Sequence, residues 1–364
     1  MSQYTVRIYD RLFNPVTTFT NTNVFDLEYS NEVNKPGSAS FKIKVRDPKA
    51  TTTNLKLFNR IKIYKGTLFK FVGYIETLNV SLNTIEVNCV GMFQVLKNRN
   101  IAYQTTPSVT LTYEFYYILN NLINASDDTG INEGTSTSSY FLNNRITFRD
   151  NDALSVLQKM AALDNKVINI NENHELDLID SPGSDKSDSI ILNYDINQIA
   201  TANIFEYNVE VDGGDMANVV IGKTKSIVTV QQDPTSIALF GKLEERKNFG
   251  ESETLQQLED EAKTYLDIHK NEFIVPKIKP NSLKLDPDSY DIGDTVRVNL
   301  DNGFLALNAK YLITKKKVRV SNSGIDDVDI DLVQEGANVL PSNFLNEIAD
   351  VDKRLTITEG IVLE

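Results

Sequence analysis

Residues 27–45 read LEYSNEVNKPGSASFKIKV. Leu27 and Tyr29 end one strand. Asn34-Lys35-Pro36-Gly37 supplies turn chemistry, because proline presets φ while glycine and asparagine accept tight backbone. Ala39, Phe41, Ile43 and Val45 then recur at every second residue, the period of a half-buried strand. The flanks repeat the pattern. Upstream, Tyr4, Val6 and Ile8 alternate with polar residues, and Asn14-Pro15 marks a turn. Downstream, Ile61 and Ile63 alternate up to Lys65-Gly66, Leu68 to Ile75 returns, and Ile85, Val87 and Cys89 give a further strand. Short strands with turn signals at this spacing predict a small antiparallel barrel or sandwich over residues 1–98.

From residue 99 the period changes. Leu111, Phe115, Ile118, Leu119 and Leu122 fall at helical spacing, and the Ser/Thr/Gly/Asp-rich Asn124–Ser139 predicts a loop. Arg145–Phe148 reads as a short strand. Asp150 or Asp152 can cap the helix that follows, which carries Leu154, Leu157, Met160, Ala161 and Leu163. Lys166–Ile170 and Glu175–Ile179 form a hairpin around Asn171-Glu172-Asn173-His174. Residues 99–183 are thus a small α/β insert, and Ser181-Pro182-Gly183-Ser184-Asp185 a boundary. Residues 184–335 return to strands, at Ile190–Tyr194, Ile204–Val211, Val219–Ile221, Val275–Leu285, Thr295–Leu300, Tyr311–Val320 and Asp327–Val333. One helix, 252–270, interrupts them. Glu251 and Glu253 lie near its start and His269 and Lys270 near its end, as the helix dipole favours. In residues 336–364, Phe344, Leu345, Ile348, Val351 and Leu355 are spaced as an amphipathic helix. Such a helix is too short to stand alone in water, so its stripe needs the protein body, a sister chain or a docking partner. The fold class is mainly β with an α/β insert: two small barrel-like β segments with α+β modules.

Length supports more than one domain, since 364 residues exceed the roughly 250–300 at which a single core stops growing. Hydrophobic residues make up 41%, enough for a real core. The single Cys89 excludes an intramolecular disulfide and a multi-cysteine zinc site, and with only His174 and His269 no histidine cage is expected. No apolar run approaches the roughly 18 residues of a membrane span. The start, MSQYTVRIYD, lacks a signal peptide, so synthesis in a cytoplasm without export by that route is expected. The net charge of −13 is uneven: residues 1–100 hold 14 Lys+Arg against 7 Asp+Glu, and the rest hold 23 against 43. Lys42, Lys44, Arg60 and Lys62 sit singly on alternating strand positions. They predict a solvated strand face, a polar subunit contact or a channel wall, with no continuous patch for nucleic acid.

The search for chemistry is mostly negative. No phosphate-cradling glycine motif, HExxH or GxSxG is present. His174 reads as a solvated turn residue and His269 as a helix-end residue able to cap carbonyls. Asp286, Asp288, Asp291 and Asp294 surround a loop but break the calcium-loop pattern, with Tyr290 at the fifth position. Asp327, Asp329 and Asp331 alternate with Val328, Ile330 and Leu332, which predicts a strand with one acidic face. That row can line a pore or meet a basic face such as Lys315-Lys316-Lys317. The 15 Tyr and 17 Phe, with no Trp, are scattered along strands and form no platform for bases or sugars. No catalytic residue, cofactor or metal is expected.

Several stretches in order resemble the hub proteins of bacteriophage tails and baseplates, including the N-terminal hub region of tail-associated lysins of long-tailed phages. They are YTVRIYD (4–10) with the turn at Asn14-Pro15, LEYSNEVNKPGSASFKI (27–43), LFKFVGYIETLNVSLNTIEVNCVGMFQVLKNR (68–99) with Gly73 and Gly91, DALSVLQKMAALDNKVININ (152–171), and LEDEAKTYLDIHK (258–270) followed by YDIGDTVRV (290–298). The resemblance implies a homotrimeric ring in the virion. Two barrel-like domains per chain would give pseudo-sixfold symmetry, joining a sixfold tail tube or distal tail protein to a threefold spike, fibre or lysin. It also implies a lumen that passes DNA or the tape-measure protein, without specific nucleic-acid binding. Asp327, Asp329 and Asp331 are its candidate lumen residues, and Phe344, Leu345, Ile348, Val351 and Leu355 its candidate oligomer or tip-partner contacts. Unlike the longer lysins, this sequence carries no peptidase or muramidase domain before Glu364. The same ring would serve a phage-derived contractile injection machine. A tail-tip carbohydrate-binding adhesin or glycan hydrolase is the reading from a different class.

Overall fold

The computed structural model describes residues 4–125, 128–142, 145–249, 254–320 and 326–334. The chain divides into two compact units: Met1–Tyr207 with Ile278–Leu332, and Asn208–Lys277 with the chain from Val333. The first unit opens with seven strands: β1 Tyr4–Tyr9, β2 Pro15–Thr20, β3 Val24–Glu32, β4 Lys35–Lys44, β5 Arg60–Lys65, β6 Leu68–Val80 and β7 Thr84–Gly91. The short α1 Phe93–Lys97 and β8 Asn100–Gln104 lead into β9 Val109–Thr110 and α2 Leu111–Tyr117, which continues as a π-helical turn, Ile118–Ile123. Then follow β10 Asn132–Ser136, β11 Phe141–Leu142, β12 Thr147–Asp152, α3 Ala153–Ala162, β13 Val167–Ile170 and β14 Glu175–Ile179. After β15 Ile191–Asp195, strand β16 Ile204–Asp212 carries the chain into the second unit, with β17 Val219–Lys223, β18 Val228–Gln232, α4 Pro234–Phe240, β19 Glu244–Asn248 and α5 Leu255–His269. Strand β20 Phe273–Pro280 leads back to β21 Thr295–Asp301, β22 Ala306–Val320 and β23 Asp326–Gln334. The chain is mainly β with an α/β insert. No helix among the described residues is long and apolar enough to cross a membrane.

One sheet runs β23-β22-β3-β4-β7-β6-β5-β1-β2, with β21 on β22 and β15 on β21; β20 and β16 extend it beyond β23. Alternation explains its core. Phe41 pairs with Val87 and Ala39 with Cys89 across β4 and β7, and all four side chains are buried. Antiparallel pairing of β22 with β3, Val318 opposite Tyr29, makes the early and late β segments one hydrogen-bonded surface. Among the described residues no strand pair closes this sheet on itself.

The insert has a core shared with its surroundings: Val72, Met92, Phe93 and Leu96 cluster with Leu111, Phe115, Leu157 and Leu176. Asp152 caps α3 by accepting from the Ser155 N–H at 2.9 Å. The β13–β14 hairpin forms in antiparallel register. Within the expected loop 124–139, however, β10 is a strand parallel to β14. Its polar sequence hides it, since Asp177 Oδ1 fixes it by accepting the Thr135 N–H at 2.8 Å. The expected strand Val275–Leu285 ends early, at Pro280. Asn281 then starts a turn, its carbonyl accepting from Lys284 and Leu285 at 2.9 Å each.

Ser181–Asp185 lies against Gly293 and Asp294. Ser181 Oγ donates to the Gly293 carbonyl at 2.7 Å, and the Ser184 N–H to Asp294 Oδ1 at 2.9 Å. A Cβ on Gly183 would stand 2.3 Å from Asp294 N, and one on Gly293 2.5 Å from Pro182 Cγ. Gly293 also has φ +80°, a left-handed conformation that glycine alone adopts without penalty.

Candidate functional site

Strand β23 has the expected two faces. Val328, Ile330 and Leu332 are at most 1% exposed, while Asp327, Asp329 and Asp331 point to the other face and are half-buried. Two of the row, Asp327 and Asp329, are met by cations. Lys279 Nζ lies 2.8 Å from Asp327, and the Arg319 guanidinium 2.7 Å from Asp329 and 3.6 Å from Asp327. Register extends the pattern, with Lys315 opposite Glu32 and Arg319 opposite Glu28. Arg319 Nε donates to Glu28 at 3.1 Å, and Lys317 lies 2.8 Å from Glu28. Lys42 pairs with Asp26 at 3.0 Å. The face is therefore striped: cation on β20, anion on β23, cation on β22, anion on β3, cation on β4. Its charges largely cancel between neighbours, which leaves polarity without a strong single-sign field.

Lys315, Lys316 and Lys317 do not act as one patch, because alternation sends Lys316 inward. Its ammonium, 3% exposed, donates to the Pro287 carbonyl at 2.8 Å and the Tyr290 carbonyl at 2.5 Å, with Asp291 at 3.8 Å. Burial pulls its pKa below the usual lysine value, against the opposing pull of Asp291. The neighbouring Asp286–Asp294 loop is an ionic junction. Asp288 bridges Lys65 at 2.5 Å and Lys70 at 2.8 Å, and Lys65 also reaches Asp326 at 2.7 Å. Tyr4 Oη donates to Asp326 at 2.8 Å. Burial of Asp288 works against ionisation, but the hydrogen bonds from Lys65 and Lys70 outweigh it and hold the carboxyl below its ordinary range. Asp294 accepts from the Asp291 N–H at 2.7 Å and lies 2.9 Å from Lys186. These carboxylates serve lysines and backbone, and among the described residues no group of three or more His, Cys, Asp or Glu could hold a metal ion.

His174 is not a solvated turn residue. Its ring stacks on Phe13 at 3.9 Å, and among the described residues its buried Nδ1 has no hydrogen-bond partner. Sequence reading missed this because Phe13 is distant in the chain. Burial, then Lys62, then Arg60 depress its pKa, with Glu175 opposing. His269 does end its helix as expected, with Nδ1 2.9 Å from the Tyr265 carbonyl oxygen. Cys89 is buried, and burial pushes its thiol pKa up. A cleft of about 270 Å³ is lined by residues including Glu32, Lys35, Lys70, Asn171, Glu172 and Asp291. It is smaller than the roughly 300–1,000 Å³ of small-molecule sites and mixes both signs of charge. Phe344, Leu345, Ile348, Val351 and Leu355 lie outside the described residues, as do Glu251 and Glu253.

No family model matches the chain, and no curated protein matches it either. Solved structures do. A tail protein from Neisseria meningitidis MC58 aligns with TM-score 0.67 and 13% identity, covering 92% of this chain and 98% of that one. The 43 kDa tail protein of prophage MuSo2 from Shewanella oneidensis aligns with TM-score 0.66 and 14% identity, covering 93% and 100%. An Escherichia coli component of the type VI secretion system, described as structurally similar to phage T4 tail proteins gp27 and gp5, aligns with TM-score 0.50 and 13% identity, covering 88% and 76%. The sheet, the insert and the smaller second unit together make the fold of phage tail proteins.

Proposed function

We propose that this chain is a structural hub of a phage tail tip or baseplate, without catalytic activity. In this reading three copies form a ring between the sixfold tail tube and a threefold spike, fibre or lysin, and DNA or the tape-measure protein passes through the ring. The observation that carries the proposal is the fold likeness over nearly the whole length of two tail proteins. The striped face supports it: a sheet surface whose charges largely cancel between neighbouring strands is polar and non-adhesive, as a conduit wall for a polyanion requires. On this reading residues 1–98 and 184–335 supply the two β segments that each copy contributes to pseudo-sixfold symmetry. Asp327, Asp329 and Asp331 face the lumen beside Lys279 and Arg319. The equivalent hub of a contractile injection machine is the neighbouring reading, supported by the likeness to the secretion-system component.

The test is solution mass by light scattering over a range of concentrations, followed by electron microscopy of the assembled species. One copy weighs 40.9 kDa, so the expected outcome is a species of three copies with a central opening. A monomer at every concentration, also in the presence of the tail-tube protein, would refute the ring.

A further inference from the structure

The insert meets the first β segment in a cluster of rings and cations. The turn between β1 and β2 carries Phe13, the turn between β13 and β14 carries His174, and the two rings stack at 3.9 Å and 11°. Phe13 also packs against the core of the insert. Its φ of +64° is a left-handed conformation that a bulky residue keeps only where its surroundings hold it. Two cations of β5 join the contact. Lys62 Nζ lies 5.2 Å and the Arg60 guanidinium carbon 6.0 Å from the centre of the Phe13 ring. Lys62 also donates to the Glu172 carbonyl at 2.7 Å, and Arg60 to the Thr129 carbonyl at 2.9 Å. Arg11 adds a further cation on the β1–β2 turn. The carboxylates nearby have other partners. Asp10 accepts from Leu12 and Asn14, Asp128 from the Gly130 N–H, and Glu175 from Asn171. Glu172 is hydrogen-bonded by Tyr64. Among the described residues none of them meets His174 Nδ1.

We propose that this contact is an acid-sensitive latch between the insert and the sheet: neutral His174 holds residues 129–131 and 171–175 against Phe13 and β5, and the imidazolium releases them. An imidazolium carries N–H donors at both ring nitrogens. It would place a donor without an acceptor at Nδ1 and a third positive charge beside Arg60 and Lys62, where water screens charge less than in bulk. Burial and the two β5 cations hold the His174 pKa below its ordinary value, with Glu175 opposing. The closed form therefore prefers the neutral imidazole, and falling pH opens it. Release is confined to this edge, because the insert shares its core with β6 and α1 through Val72, Met92, Phe93 and Leu96. The latch works within a single chain and does not depend on the assembly of three copies.

The test is amide hydrogen exchange of the full chain at pH 7.5 and 5.5, with each rate divided by its unstructured-chain value at the same pH. The reporters are the amides of Asn132, His174 and Glu175, which donate to the His174 carbonyl, the Asn171 carbonyl and Asn171 Oδ1. Their protection should fall about three- to ten-fold at the lower pH, the upper limit being the charged-to-neutral ratio of an ordinary imidazole one unit below a pKa near 6.5. Amides of β4 and β7 should keep their protection, and His174→Asn, which suits the left-handed turn, should abolish the loss. No loss in the parent chain, an equal loss in β4 and β7, or an equal loss in His174→Asn would each overturn the latch. As a second measurement, Phe13→Trp gives the chain its only tryptophan. Its emission should move to longer wavelength between pH 7.5 and 5.5 as the indole leaves His174 and meets water. Emission that stays constant over that interval would also overturn the proposal.

Discussion

Replacing Gly293 by alanine tests whether Ser181–Asp185 is packed chain or linker. Two penalties are expected. The φ of +80° puts an alanine Cβ in the left-handed region, at about 1–2 kcal/mol. The same Cβ would stand 2.5 Å from Pro182 Cγ and 2.7 Å from Gly183 N, and overpacking of this kind costs about 1–3 kcal/mol. Together Gly293→Ala should destabilise the first unit by about 2–5 kcal/mol. Two further variants separate the causes. Gly303 has φ +82° with nothing within 4 Å of a built Cβ, so Gly303→Ala carries only the backbone penalty. Gly183→Ala carries only the clash, 2.3 Å from Asp294 N. Each alanine also stiffens the unfolded chain by about 0.4–1 kcal/mol, a contribution that cancels between variants. The assay is urea unfolding followed by far-ultraviolet circular dichroism, with limited proteolysis at 181–185. Gly293→Ala should exceed Gly303→Ala by about 1–3 kcal/mol, and both clash variants should open the segment to cleavage. If all three variants unfold together and resist cleavage alike, the crossing yields freely and the packing argument is wrong.

Asp288→Asn removes the shared partner of Lys65 and Lys70 and should destabilise the first unit by about 2–4 kcal/mol, since the buried Lys70 ammonium loses its carboxylate while Lys65 keeps only Asp326; an unchanged denaturation midpoint would show that water already screens it. Arg319→Ala, at a side chain 43% exposed, should cost about 1 kcal/mol or less, measured the same way. Because the folded pKa of His174 is depressed, its contribution to stability is fully present above the unfolded value near 6.5 and is lost as pH falls from there toward the folded value. Stability should therefore drop between pH 7.5 and 5.5 more in the parent chain than in His174→Asn, which keeps the left-handed turn residue; equal losses in both would place the acid-sensitive group elsewhere.

What the sequence disclosed was governed by near neighbours. Alternation fixed the buried side of β23, from Val328 to Leu332, and the Asp152 cap and apolar spacing located α3. The β13–β14 hairpin followed from its polar turn. Strand β10 was hidden because hydrogen bonds to Asp177 and β14 hold it, and neither leaves a period-two apolar trace. Helix α4 had a visible start, Asp233-Pro234, where Asp233 accepts from the Thr235 and Ser236 N–H groups, but its short length gave no stripe. The candidate site was legible as residues and not as partners. The acidic row was evident, yet its cations Lys279 and Arg319, the burial of Lys316 and the stacking of His174 on Phe13 are set by pairings between distant parts of the chain.

The β3–β22 pairing has a consequence for how the molecule is made. Arg319 and Glu28, joined across it, lie 291 positions apart. At about 5–20 residues per second, a ribosome needs about 15–60 s to deliver the second partner after the first. Throughout that time β3 has β4 beside it but an unpaired outer edge, offering its N–H and C=O groups to any passing strand. The exposed edge makes the growing chain, more than the finished one, the vulnerable species. Yield during expression should accordingly respond to synthesis temperature and to chaperone supply before it responds to substitutions that only trim final stability.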